Sequence, residues 1–172
     1  MRRLRDSVAM TLDGLIADPN GGCDWIIMDE AIAFSAIFRE FDAFVMGRKT
    51  FEVTAKQPEW MAMFGDSEVI VFSKTLKTAS YPGVRVVDAS PADVVRELKG
   101  KPGKDIWLFG GGMLFRTLVD AGLVDTVEVA IMPVLLTEGV PVVPAGARVT
   151  GMKLERCETL PNSGIVMLSY SL

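Results

Sequence analysis

Three consecutive glycines, Gly110-Gly111-Gly112, separate the apolar run Ile106-Trp107-Leu108-Phe109 from a segment of helical pattern, Met113 to Asp120. Glycine between a buried strand and a helix lets a ligand approach the backbone closely, and the helix start offers unpaired N–H groups at the positive end of its dipole. Such a place suits an anion, a pyrophosphate for instance; the same residues also read as a tight structural turn. They are not a Rossmann fingerprint, because Phe115 stands where its third glycine would fall and that loop belongs after the first strand of its unit. Two other apolar runs end similarly. Ala43-Phe44-Val45-Met46 stops at Gly47 and leads into Arg48-Lys49-Thr50, and Glu68 to Phe72 leads into Ser73-Lys74-Thr75. Each offers cations and hydroxyls that favour phosphate, and each basic group taken alone also reads as a solvated turn. Three such strand ends fit the rule that open α/β sheets bind ligands beyond the carboxyl ends of their strands.

The chain contains no histidine. This excludes Ser-His-Asp and Cys-His nucleophile systems, His-ligated zinc and HExxH hydrolases. Acid–base work falls to Asp, Glu, Lys, Tyr, Cys or water. Chemistry carried by a bound cofactor suits such a chain, since hydride transfer asks the protein mainly for orientation and electrostatics. Cys23 and Cys157 are far apart and lack metal-ligand spacing, so both are read as reduced thiols and no metal site is expected.

These residues need elements to position them. Leu4 to Leu12 reads as the first strand, and Asp13 to Asp24, with Asp18-Pro19-Asn20-Gly21-Gly22, as a long loop of the kind that is often functional. Ile32, Ala33, Ala36 and Ile37 have helical spacing, which predicts a helix over Asp29 to Arg39 capped by Asp29. A helix over Arg48 to Lys56, a strand at Val84 to Val87 and a helix from Ser90-Pro91 to Lys99 follow. Val124 to Ile131 is another strand, and Met152 to Thr159 with Ile165 to Ser171 flank the turn Pro161-Asn162-Ser163-Gly164 as a hairpin. The alternation predicts one α/β unit with a mostly parallel sheet and an antiparallel edge.

With 172 residues, 49% of them hydrophobic and 23% charged, the chain is sized for one packed domain. A net charge of −4 gives no broad basic field, so nucleic acid is not an expected partner. Arg2-Arg3-Leu4-Arg5 mimics the start of a signal peptide, but Asp6, Asp13 and Gly14 interrupt any apolar stretch after it. No run approaches the ~18 apolar residues of a membrane span, and a soluble cytoplasmic protein is expected.

The order Leu12-Asp13-Gly14-x-Ile16-Ala17, Trp25, Gly47-Arg48-x-Thr50, Ser73, Gly110-Gly111-Gly112 and Ala121-Gly122-Leu123-Val124-Asp125 resembles the dihydrofolate reductase superfamily over nearly the whole chain. The first and last phrases are most similar to its riboflavin-pathway branch, the reductase half of a bifunctional deaminase-reductase. The resemblance implies a single-domain dihydrofolate-reductase-like α/β fold: a mostly parallel central sheet, helices on both faces, an antiparallel C-terminal hairpin, and NADPH across the carboxyl edge. By position it places Arg48, Lys49 and Thr50 on the adenosine side, with Arg48, Ser73 and Lys74 around the 2'-phosphate. Gly110, Gly111, Gly112, Met113 and Leu114 would hold the pyrophosphate, and the Gly110–Gly111 peptide would be cis. Ala9, Ile16 and Ala17 would line the nicotinamide and substrate pocket, with Asp13 and Trp25 on the covering loop.

The same resemblance implies a pocket acid at Asp29 or Glu30, Glu30 matching better; a carboxylate in a first helical turn equally stabilises the helix. We take Glu30 as the candidate catalytic acid and Asp29 as the cap. Two departures stand out. Ala130 falls where the folate enzyme places a hydroxyl partner to its acid, and the deaminase half's H-x-E and P-C-x-x-C pattern is absent. The phosphoribosyl substrate of the riboflavin branch also calls for a second anion site, for which Arg148 and Lys153 stand out no more than other surface cations. The expected activity is hydride transfer from NADPH to a C=N or C=O carbon of a small heterocyclic or ribosylaminopyrimidine substrate. Dihydrofolate reduction and NADPH binding without turnover are the alternatives, and a homodimer is the expected assembly.

Overall fold

The computed structural model describes residues 1–77, 80–146 and 148–172. The apolar runs form the middle of an eight-stranded sheet. The run before Gly47 is β3 (Phe41–Gly47) and the run before the triple glycine is β6 (Asp105–Gly110). Beside them lie β1 (Leu4–Thr11), β4 (Glu68–Phe72), β5 (Val84–Val87) and β7 (Thr126–Met132). These six strands are mutually parallel in the order β5-β4-β3-β6-β1-β7. The C-terminal hairpin, β9 (Lys153–Leu160) and β10 (Ile165–Ser171), adds its second strand antiparallel to β7. A sheet buried on both faces needs strands without polar alternation, and Phe44, Val45 and Met46 of β3 are all fully buried.

One face is covered by α4 (Pro91–Gly100) and α5 (Gly112–Asp120), whose Val95, Leu98, Leu114 and Leu118 pack on Leu4, Val45, Ile70, Ile106 and Leu108. The other face carries α1 (Phe34–Phe38), α2 (Arg48–Thr54) and α3 (Trp60–Phe64) over an aromatic cluster of Phe44, Phe51, Phe64 and Trp107. Trp107 and Phe44 centroids are 5.5 Å apart, a spacing at which ring pairs attract beyond their buried area. Pro91 at the first turn of α4 and Gly47 and Gly111 before α2 and α5 mark helix starts as expected. No helix among the described residues is long and apolar enough to cross a membrane.

Two expectations need correction, and one helix was not foreseen. The helix foreseen over Asp29 to Arg39 is reduced to α1, with Ala33 rather than Asp29 at its N-cap. Asp29 instead accepts the Ala31 N–H at 2.8 Å, a local turn that competes with helix formation. The loop from Asp13 to Asp24 contains β2 (Leu15–Ala17), which pairs with β8 (Val140–Pro141) as a separate two-stranded sheet. α3 gave no signal in the sequence, being one turn entered through Glu59 at φ 52°.

Candidate functional site

The parallel sheet opens at one place. β1 pairs with β6 only from Leu4↔Ile106 to Asp6↔Leu108, whereas its ladder with β7 runs on to Thr11↔Met132. Beyond Asp6 the two strands part, and the first freed carbonyl, that of Ser7, accepts the Trp107 indole N–H at 2.9 Å. The connections of β3 and β6 also diverge here. α2 leads from β3 outward to β4, while α5 leads from β6 over β1 to β7. Such a switch point leaves a crevice beyond the carboxyl ends.

Glycine lines the β3 and β6 rims of that crevice. A β carbon on Gly110 or Gly111 would lie 3.4 or 3.2 Å from Thr50 Oγ1, and one on Gly112 would lie 3.0 Å from the Val142 carbonyl. The Gly110–Gly111 peptide is cis, as the resemblance implies, and Gly110 has φ +127°. No side chain caps α5. Leu114 and Phe115 N–H both reach the Gly111 carbonyl, so the helix-start donors left to the crevice are those of Gly112 and Met113.

The cations stand on the β3 and β4 side. Arg48 Nη1 donates to Thr75 Oγ1 at 2.7 Å and its Nε to Glu52 Oε1 at 2.7 Å, which sets the guanidinium beside the turn after β4. Ser73 Oγ shapes that turn by accepting Thr75 and Leu76 N–H at 3.2 and 3.0 Å. Lys49 and Lys74 are exposed. Thus Arg48, Ser73 and Lys74, separated by a strand and a helix in the sequence, form one basic corner. A dinucleotide fits this cradle: glycines keep its phosphate path clear, helix-start N–H groups face it, and the basic corner supplies charge at one end.

Across the opening the surroundings are apolar. Ala9 of β1 sits opposite Ala130 of β7, which sits opposite Met167 of β10. Trp25, Ile26, Ile27 and Ile32 join them around a small cluster of Met132, Leu160 and Ile165. The Trp25 indole Nε1 is buried and has no hydrogen-bond partner among the described residues. Ala17 is buried and Ile16 half-buried in β2, held across from the 139–142 segment by the β2–β8 pairing and by Val142 N–H donating to the Gly14 carbonyl.

Several assigned residues are placed differently from their expected roles. Leu114, expected beside the pyrophosphate, turns its side chain into the core and has its N–H engaged by the Gly111 carbonyl. Met113 keeps an exposed side chain on the first turn of α5. Asp13 accepts Thr11 Oγ1–H at 2.5 Å, Thr137 N–H at 2.7 Å and Leu136 N–H at 3.3 Å. These bonds hold its carboxyl below the usual range and make it a staple of the covering loop rather than a substrate contact. Glu30 is exposed, in a turn before α1. The inward-facing helix position expected of Glu30 does not exist, so the crevice receives no carboxylate from it. Asp29, whose carboxyl is lowered by the Ser163 hydroxyl and then the Ala31 N–H, is likewise engaged locally. The segment 140–144, whose Val142 and Pro144 wall Gly112, was not anticipated; its two prolines in an apolar run were the available signal.

A model of the RibD C-terminal domain family matches residues 3–166. The uncharacterized Bacillus subtilis protein YyaP is 32% identical over 179 residues, covering 98% of this chain and 94% of YyaP. Among solved structures, a protein described with riboflavin biosynthesis from Shewanella sp. PV-4 superposes with a TM-score of 0.82 at 24% identity, over 99% of this chain and 98% of that one. The Thermotoga maritima diaminohydroxyphosphoribosylaminopyrimidine deaminase/5-amino-6-(5-phosphoribosylamino)uracil reductase gives 0.71 at 20% identity, over 99% of this chain but 56% of that one. At these identities the two structures establish a shared fold.

Proposed function

Because this chain belongs to the RibD C-terminal domain family, we propose that it is an NADPH-dependent reductase acting on a C=N or C=O carbon of a small heterocyclic or ribosylaminopyrimidine substrate. The observation that carries this reading is the parting of β1 from β6 directly beside the glycine rim of β6 and α5. The parting would admit a flat ring beside β6, with its phosphates toward the α5 start.

In this reading Gly111, Gly112 and the Met113 N–H receive the pyrophosphate, and Thr50 flanks it. Arg48, Ser73 and Lys74 receive the 2'-phosphate, and Lys49 adds charge on the adenosine side. When bound, the dinucleotide would supply the hydride for the acceptor carbon, and water would supply the proton for its heteroatom. The protein's part is to hold the two carbons together and to exclude bulk water, which alone removes much of an entropic barrier. Ala9, Ile16 and Ala17 shape the place of transfer. A cytoplasmic homodimer without nucleic-acid partners completes the proposal, and light scattering on the purified protein checks the assembly.

Titration with both nucleotides tests the cofactor assignment. NADPH should bind on the order of tenfold more tightly than NADH, about 1.4 kcal/mol, and Arg48→Ala should remove most of that preference. An equal loss of affinity for both nucleotides would place Arg48 away from the 2'-phosphate.

A further inference from the structure

The covering side of the crevice has an unusual charge inventory. From residue 6 to residue 38, which includes the distal half of β1, β2, the Trp25–Ile32 cover and α1, there is no lysine or arginine, while Asp13, Asp18, Asp24, Asp29 and Glu30 all fall in it. Residues 129–147 contain Glu138 and no cation, and residues 157–172 contain Glu158 and no cation. These three stretches supply the rungs Ala9, Ala130 and Met167, the Trp25 cover and the 139–144 wall.

The nearest cations are turned to other work: Arg116, beside the end of the 139–144 wall, donates to the Ala145 carbonyl and pairs with Asp120. Arg5 lies four residues toward the amino end of β1 from Ala9 and is bound by Glu128 and Glu40. Arg156, opposite Ser169, is paired with Glu158. Arg148 lines a depression with Asp120 and Gly122, at the far end of α5 from Gly112. Lys153 pairs in register with Ser171, which faces Thr126 at the start of β7. Arg39 follows α1 at the amino edge, beside Lys104. The basic corner of Arg48 and Lys74 lies across β6 and β3, on the side assigned to the cofactor. A substrate phosphate on the Ala9–Ala130 patch would therefore find no free counter-ion among the described residues, whereas an uncharged ring would meet alanine, isoleucine and methionine. Leaving a ligand's charge unpaired in this way is how sites reject wrong ligands.

Within that apolar setting the Trp25 Nε1–H is buried without an acceptor among the described residues. A buried donor left unmade is costly, and a ligand that supplies the acceptor recovers that cost.

We propose, resting on the reductase reading above, that the substrate is a flat heterocycle carrying no phosphate, seated on Ala9, Ala130 and Met167 beneath Trp25, whose Nε1–H donates to a ring carbonyl or ring nitrogen. This separates the chain from a 5-phosphoribosylamino substrate, the kind named for the Thermotoga maritima enzyme.

The test uses the purified chain with saturating NADP⁺ and three probes: 5-amino-6-(5-phosphoribosylamino)uracil, the same compound after phosphatase treatment, and a free dihydropterin. Binding is followed by calorimetry, and NADPH affinity is measured in parallel. The dephosphorylated uracil compound should bind at least about tenfold more tightly than its phosphate ester. Trp25→Phe should weaken the two uncharged probes about fivefold, the loss of one hydrogen bond, while leaving NADPH affinity unchanged and the melting temperature no lower. Placing a cation in the cover, Asp29→Lys, should narrow the gap between the ester and its dephosphorylated form. Tighter or equal binding of the ester overturns the proposal, as does failure of all three probes to bind while NADPH binds. A Trp25→Phe effect shared by NADPH and the melting temperature removes the hydrogen bond from it. Failure of NADPH itself to bind sinks the reductase reading instead, and is recorded separately by the parallel titration.

Discussion

At the amino ends of the parallel strands charged groups are paired with one another, whereas at the carboxyl ends of β3 and β6 cations and N–H donors face outward. Arg2 bonds Asp42, Arg3 bonds Asp105, Lys99 bonds Asp125, and Arg5 is shared by Glu128 and Glu40 while lying 4.6 Å from the Phe41 ring centroid. At the other end Lys49 and Lys74 are exposed, and no side chain caps α5. Both ends are rich in polar groups; at the carboxyl end Arg48 is tied to Glu52 and Thr75, but Lys49, Lys74 and the α5 start make no side-chain bond among the described residues. A depression of about 510 Å³ lined by Arg5, Glu128 and Glu155 is thus a satisfied network, while the crevice at the opposite end has donors to offer a ligand.

The strongest way to break the contrast is to orphan the amino-end network. Only 11% of the Arg5 side chain is exposed; burial alone would lower its pKa, but hydrogen bonds and charge from Glu128 and Glu40 outweigh this and raise it. Arg5→Ala leaves Glu128 without its bidentate partner and should cost about 3 to 5 kcal/mol, the usual penalty for breaking a buried pair from one side. Urea unfolding measures it. NADPH affinity of the folded variant should be unchanged, and a comparable loss there would mean that the two ends are coupled.

Asp6 is the exception at the amino end, and it sharpens the comparison. Its neighbour Arg5 faces the ion network, but Asp6 faces the opposite, apolar side of β1, beside Leu108 and Val127. No hydrogen bond reaches its carboxylate among the described residues, and burial, with a smaller push from Glu128, raises its pKa to about 7. Because the folded value lies above the unfolded one, the protonated acid is what folding favours. Its contribution is fully present below about pH 4 and is lost as pH rises through about 7. The ionised form then costs up to about 4 kcal/mol, from roughly three pKa units at 1.36 kcal/mol each. Asp6→Asn should raise the melting temperature at pH 8 and change it little at pH 3.5, flattening the profile between. An unchanged profile would show that Asp6 finds a partner when ionised.

The sequence carried the strands and their glycine ends well, because those signals are local: β4, β5 and β10 begin and end where apolar runs meet turn residues. The basic corner was legible for the same reason, since Gly47-Arg48, Ser73-Lys74 and the triple glycine each follow a strand. The opening itself was not, since where β1 leaves β6 depends on register between segments a hundred residues apart. Glu30 was misplaced because a turn at Asp29 and Ala31 took the place of the expected helix start. Asp6 entered the sequence reading only as a break in an apolar stretch, and the packing of α4 and α5 over that face of β1 is what buries it.

The smallest effect expected on stability falls at the open end, where the consequence should be read in binding. Gly112 begins α5, and a β carbon there would stand 3.0 Å from the Val142 carbonyl and 3.1 Å from Pro144. Backbone carbonyls yield less readily than side-chain tips, so the 140–144 wall must shift or the helix start must turn. Either motion moves the N–H groups that face the phosphate path. Gly112→Val should lower NADPH affinity on the order of a hundredfold, near 3 kcal/mol, with a melting temperature within a few degrees of the parent. Gly100→Ala is the matched control, because the added carbon meets nothing within 4 Å at the end of α4. If Gly112→Val binds NADPH as the parent does, the pyrophosphate does not lie on the α5 start, and the difference between the two ends would reflect folding alone.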